Sequence, residues 1–308
     1  MHEFQHIFIS IIIEAFPFIL LGVLVSALLQ VFVSDGLIAR LTPRNPIAGV
    51  LFGSLLGLLL PLCECGMIPI VRRLIRKGMP PYIGMVFIFA GPILNPIVFV
   101  STFNAFRADP AIAYARMGLA LAVCVLLGLL LFVFMKRSPL KLGLHAFVSQ
   151  GSRTPDDEHY QYNHGHAGGG LQDRIQATFT HASEEFFDIG KYLIIGAFIT
   201  ALAQSALDPS LLQDVSGSPA LASLFMMAAG FVLSLCSTSD AFVASSLQGV
   251  FGPGALLAFL VFGPMVDFKS LLLLFATFRS KVVVGIVACL IAAVWIGSLL
   301  TERLVFGT

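Results

Sequence analysis

Gly57-Leu58-Leu59-Leu60-Pro61-Leu62-Cys63-Glu64-Cys65-Gly66 is the stretch that decides the fold, because two thiols and a carboxylate stand inside apolar sequence. The run that follows is apolar again and ends Gly91-Pro92-Ile93-Leu94-Asn95-Pro96. The pattern then returns as Ser234-Leu235-Cys236-Ser237-Thr238-Ser239-Asp240, followed by an apolar run ending Gly263-Pro264-Met265-Val266-Asp267. Polar and ionisable groups are expensive at bilayer depth, and where they occur they usually line a substrate path. Both copies therefore predict a transporter.

Composition agrees. The 308 residues are 57% hydrophobic and 11% charged, with a mean hydropathy of +0.93, too few polar groups to coat a soluble globule. Apolar segments cover about 7–33, 47–62, 82–103, 111–135, 184–207, 220–236, 254–277 and 281–301, the pattern of a polytopic helical membrane protein. The net charge of +1 gives no reason to expect a nucleic-acid partner. Five cysteines form no extracellular disulfide framework. Residues 7–33 are too long for the apolar core of a signal peptide and carry Glu14 and Pro17, so they read as a first span.

Two halves emerge. Lys136 to Arg174 is rich in Gly, His, Asp and Ser and reads as a solvated linker. Its histidines, His145, His159, His164 and His166, with His181 beyond, suit either a flexible loop or cytoplasmic metal collection. Around it, Glu14-Ala15-Phe16-Pro17 through Gly22 parallels Asp188-Ile189-Gly190-Lys191 through Gly196 at an offset of 174. The offset is 173 at Cys63 and Cys236, and 172 at Pro92/Pro264 and Asn95/Asp267. So slow a drift predicts a duplication: a first repeat over 1–135, a linker over 136–175 and a second repeat over 176–308.

The second segment of each half sets the topology. If all eight segments cross, the halves are parallel. If 47–77 and 220–250 are instead re-entrant hairpins, three crossings remain per half and the repeats are inverted. Cytoplasmic loops carry the Lys and Arg excess. With the N-terminus outside, the re-entrant arrangement puts Arg40, Arg44, Arg72, Arg73, Arg76, Lys77, Lys136, Arg137, Lys141, Arg153, Arg174, Arg279 and Lys281 inside, 13 of the 18 basic residues. The eight-crossing arrangement divides the same loop residues, together with Arg107 and Arg303, 10 against 5. The expected fold is therefore all-α and polytopic, with two inverted repeats, each of three spanning helices plus a re-entrant helical hairpin.

Non-helical backbone at membrane depth must be buried in protein or line a cavity. Transporters with inverted repeats and broken helices hold substrate near the midplane, where the breaks meet. The hairpin tips would be Cys63-Glu64-Cys65 and Cys236-Ser237-Thr238-Ser239-Asp240, facing the helix breaks at Asn95 and Asp267. Cys63, Cys65 and Cys236 form the soft side of the site, and thiolates select Cu(I), Zn(II) and other thiophilic centres. Bland roles are open for several of these residues. Ser237, Thr238 and Ser239 suit a helix cap; Asn95 and Asp267 suit caps, with Asp267 also an ion partner for Lys269. Glu14 and Asp188, at equivalent places in the halves, are candidates for gating or proton relay with Lys269. Cys124 and Cys289, alone in apolar helices, read as small buried hydrophobes.

At these residues the chain resembles a broad bacterial family of predicted permeases that includes trivalent organoarsenical efflux permeases and members proposed to export copper or zinc. The resemblance rests on Cys63 to Leu74, Arg76-Lys77-Gly78-Met79-Pro80, Gly91 to Pro96, Leu235-Cys236-Ser237 and Gly263 to Asp267. It covers nearly the whole chain outside the linker. The Cys-Glu-Cys-Gly form looks most like the copper/zinc branch. The resemblance implies multispan efflux across the bacterial inner membrane.

The leading expectation is a permease, not an enzyme, that needs no cofactor and exports a soft metal or metalloid species. Glu64 and Asp240 would exchange the substrate for protons, since protonating a ligand weakens its hold on metal. The alternatives are a membrane thiol–disulfide carrier using Cys63 and Cys236, and a permease for a sulfur-containing organic solute. Expected partners are membrane lipid and a small inorganic or organometallic substrate, with homo-oligomerisation compatible.

Overall fold

The computed structural model describes residues 2–32, 38, 42–43, 45–59, 64–134, 183, 186–187, 189–202 and 218–307. The 136–175 linker, Cys63, Asp188 and the side chains of Glu64 and Cys65 lie outside the described residues. Among the described residues no strand forms, only a one-residue bridge between Gln248 and Phe251. The chain is an all-α membrane protein. Among the described residues, four stretches, Phe4–Leu28, Ala111–Val133, Pro253–Thr277 and Ser280–Phe306, are long and apolar enough to cross a bilayer.

The helices are α1 (His2–Phe32), α2 (Pro46–Leu59), α3 (Glu64–Arg76), α4 (Pro81–Ala90), α5 (Pro96–Ala105) and α6 (Ala111–Phe134). After them come α7 (Ile189–Leu202), α8 (Pro219–Leu233), α9 (Ser239–Ser246), α10 (Pro253–Met265), α11 (Phe268–Thr277) and α12 (Ser280–Thr301). Many are short because Pro, Gly and polar residues interrupt the apolar runs. The 14 residues of α2 extend only about 21 Å, less than the roughly 30 Å hydrocarbon core. The 13 of α3, 15 of α8 and 8 of α9 also fall short of a full crossing.

The first Gly-Pro motif ends its helix, and the second lies in the last turn of α10, just before a break. The first leaves a turn over 91–95, after which Asn95 caps α5 by accepting the Ile97 N–H at 2.9 Å, with Pro96 at the first helical position. In the second, Pro264 cannot donate a backbone hydrogen bond, and the chain becomes extended at Val266 and Asp267. Asp267 then caps α11 in a reciprocal box with Ser270, accepting its N–H at 2.6 Å.

The core is centred on α4 and α10. Residues 82–90 and 254–265 are buried on every face, as expected of helices apolar all round. The packing repeats under exchange of the halves. α2 packs on α4 and α6, as α8 packs on α10 and α12; α3 packs on α4, as α9 packs on α10. Several contacts between halves follow the same rule, with α9 on α5, α3 on α11, and α6 against α12, while the packing of α6 on α10 departs from it.

Glycines make the corresponding crossings. A Cβ on Gly57 would lie 2.8 Å from Gly91 N and 2.9 Å from its Cα. A Cβ on Gly230 would lie 3.3 Å from Gly263 Cα. Gly57 and Gly230 are 173 residues apart, and Gly91 and Gly263 are 172 apart. Small residues let helix backbones approach this closely in membranes. A third close approach brings Gly22 of α1 against the Gly66 carbonyl at the start of α3.

Candidate functional site

The centre of the candidate site is the break between α8 and α9. α8 ends at Ser234, whose backbone is left-handed (φ 46°, ψ 42°), a conformation costing a non-glycine residue roughly 1–2 kcal/mol. Hydrogen bonds offset that cost. Ser234 Oγ donates to the Phe231 carbonyl at 3.1 Å and accepts the Phe268 N–H at 3.3 Å. The Ser234 carbonyl accepts from Lys269 Nζ at 2.9 Å, and the same ammonium lies 3.3 Å from Asp267 Oδ2. The two breaks of the second half, 234–238 and 266–267, are thus tied together by Ser234 and Lys269.

The first half grips the same break. Arg116, on α6, and Asp240, on α9, have side chains only 0% and 3% exposed. Arg116 Nη2 donates to Asp240 Oδ2 at 2.9 Å, to Oδ1 at 3.2 Å and to the Ser237 carbonyl at 3.2 Å. Nη1 donates to Thr102 Oγ1 of α5 at 2.7 Å. Arg116 Nε is buried with no hydrogen-bond partner. Beside this cluster, Ser101 Oγ donates to the Thr238 carbonyl at 2.8 Å. A buried charge demands a partner, and here the arginine of one half and the carboxylate of the other supply each other's.

Cys236 is half-buried in the middle of the break, and Thr238 Oγ1 donates to its Sγ at 3.6 Å. Ser237 and Thr238 are also half-buried, whereas Ser239 is exposed at the start of α9. The expected residues Cys236, Ser237, Thr238, Asp240, Asp267 and Lys269 are therefore gathered around one pair of breaks. Asn95 is buried at its own break, and there Gly91 abuts the Met67 thioether of α3. Glu14 is exposed on α1.

Cys124 is fully buried within α6, in keeping with a packing role. Cys289 lies elsewhere, in a largely apolar groove of about 310 Å³ between α6 and α12, with Lys281 also in its lining. Among the described residues, no three His, Cys, Asp or Glu side chains converge as a metal cage.

Arg116 was not among the residues singled out from the sequence. Its signal was nevertheless present, because a lone arginine within an otherwise apolar span is a functional-site candidate by default. Ser101 and Thr102 carried no comparable signal, since hydroxyls are common in membrane helices and often bond their own backbone; Thr102 Oγ1 does so with Val98 O at 2.8 Å.

The family model described as "Predicted permease" (ArsP_1) matches residues 1–303. The chain is 45% identical over 300 residues to the UPF0718 protein YcgR of Bacillus subtilis (strain 168), covering 97% of each chain. It is 38% identical over 281 residues to a protein of Streptococcus mutans named "Putative two-component membrane permease complex subunit", covering 91% of this chain and 89% of that one. No solved structure matches.

Proposed function

The chain belongs to this predicted-permease family, a multi-pass protein of the bacterial membrane, and from that premise we propose that it exports a thiophilic metal or metalloid species. The candidates are Cu(I), Zn(II) and trivalent arsenicals. The observation that carries the reading is a thiol in a helix break of a membrane protein: Cys236 stands among the backbone of 234–238, with Thr238 on its sulfur and the Arg116–Asp240 pair alongside. Thiolate chemistry selects soft cations, and broken backbone within a membrane is the usual setting of a transport site.

In this proposal Cys63 and Cys65 complete the soft ligand set from the first-half tip, with Glu64 as the nearby acid. The repeats are 1–135 and 176–308, joined by the 136–175 linker, and are inverted. The packing that survives exchange of the halves and the matched Gly57–Gly91 and Gly230–Gly263 crossings support the duplication, and the helices too short to cross support the re-entrant, inverted arrangement. α3 and α9 then descend into the membrane from opposite sides. The relative named as a complex subunit suggests that this chain, too, works beside a second membrane subunit.

Uptake of Cu(I), Zn(II) and methylarsenite into everted vesicles tests the reading. Accumulation of one of them that is lost in Cys236→Ser is the expected result. Equal accumulation in wild type and Cys236→Ser would remove the thiol from the mechanism. A trapped mixed disulfide between Cys236 and another protein would favour thiol–disulfide exchange instead.

A further inference from the structure

Resting on the reading of this site as a cation path, we propose that Arg116 is a tethered cation that occupies Asp240 in the empty carrier and gives the carboxylate up to the transported cation. The geometry of the pair motivates the assignment. An arginine that staples a carboxylate commonly uses its two-pronged fork, with parallel N–H bonds from two nitrogens. Here one nitrogen, Nη2, serves both Asp240 oxygens and the Ser237 carbonyl together. Nη1 is held by Thr102, and Nε is buried with no hydrogen-bond partner. The carboxylate is thus held through a single nitrogen of an incompletely satisfied guanidinium.

Movement of that nitrogen releases three acceptor oxygens at once. Both Asp240 oxygens and the Ser237 carbonyl lose their shared partner, within four residues of Cys236 Sγ in the chain. The freed set is two carboxylate oxygens, one carbonyl oxygen and one nearby sulfur, a mixed set closer to what Zn(II) accepts than to the sulfur preference of Cu(I). Charge bookkeeping gives the arrangement a purpose. An uncompensated carboxylate buried in a membrane protein is costly, so an empty site holding a bare Asp240 could not readily cross between its two orientations. With Arg116 on Asp240 the pair is neutral. Each transport cycle then exchanges one cation for another at the same carboxylate, and the covalently attached one never leaves the protein.

A competitor built into the site lowers the apparent affinity for the substrate in proportion to the fraction of sites it leaves open. Removing it should therefore tighten binding, whereas removing a mere staple should not. The test uses the purified full chain in detergent, with Cu(I) and Zn(II) each as the probe. The readout is protection of Cys236 from N-ethylmaleimide, followed by peptide mass spectrometry. Arg116→Gln is expected to be protected at a metal concentration at least about tenfold below that needed by wild type. Arg116→Lys, which keeps a tethered positive charge, should stay near wild type. The neutral pair Arg116→Gln/Asp240→Asn retains the packing without either charge and should need at least about tenfold more metal than wild type.

The outcomes separate the two ideas. If wild type is protected and Arg116→Gln needs the same or more metal, the tethered-cation role is overturned while the metal path stands. Protection of Arg116→Gln alone supports the competition. If neither chain is protected by either metal, both ideas fail. Should Arg116→Gln not fold, the doubly substituted chain decides: protection at wild-type concentrations would show that Asp240 takes no part in holding the cation, and the proposal falls.

Discussion

Arg116 Nη2 lies 2.9 Å from Asp240 Oδ2 and 3.2 Å from Oδ1, so one buried ion pair joins residues 124 positions apart and binds the two halves of the molecule. Removing one member strands the other. Arg116→Ala is expected to cost about 3–5 kcal/mol of stability, because the carboxylate is left buried and uncompensated. The joint replacement Arg116→Met/Asp240→Leu should recover most of that loss while abolishing transport. Unfolding in detergent, read beside vesicle uptake, checks both parts.

The glycine crossings predict unequal responses to a single methyl group. At Gly57 the added carbon would meet backbone of Gly91 at 2.8–2.9 Å, and backbone has nowhere to go. Gly57→Ala should cost about 1–3 kcal/mol through overpacking. Gly118→Ala, with nothing within 4 Å of the new carbon, should be neutral or slightly stabilising. Melting temperatures of the two variants against wild type are the measurement.

Asn95 and Asp267 each cap the helix that follows a break, and the two roles open to Asp267 can be pulled apart. Alanine at either position should cost about 1 kcal/mol. Asp267→Asn keeps a capping oxygen but removes the charge facing Lys269, so its stability should fall less than that of Asp267→Ala. A marked fall in vesicle uptake for Asp267→Asn at near-normal stability would assign the carboxylate a task beyond capping.

Thiol reactivity should follow burial. Half-buried Cys236 should be alkylated in the folded chain, whereas Cys124, fully buried in α6, should react only after denaturation. Cys124→Ala should leave transport unchanged. Time-resolved alkylation with peptide mapping gives the order.

Much of this was legible beforehand, for local reasons. Gly91-Pro92 ends its helix and Gly263-Pro264 stands in the last turn before a break, so the neighbourhood of both breaks followed from the residues themselves. The polar run at 236–240 likewise marked the α8–α9 break. The partner of Asp240 was not legible, because pairing Arg116 with a residue 124 positions away is a fact of tertiary packing. Ser234 in a left-handed conformation could not be read either, since serine has no preference for it and its bonds with Phe231, Phe268 and Lys269 belong to the folded structure. Gly57 and Gly230 were equally silent: a glycine in an apolar helix does not say what crosses it. At the first-half tip the expectations for Cys63, Glu64 and Cys65 fall outside the described residues.

The pairing of Arg116 in the first half with Asp240 in the second has a consequence for biosynthesis. A ribosome releasing the N-terminal portion delivers a guanidinium to the lipid long before its acid has been made. Until that acid arrives, the arginine must be shielded by water, by an insertase or by a neighbouring chain. Fragments severed between the halves should for that reason be degraded when made singly and survive when made together.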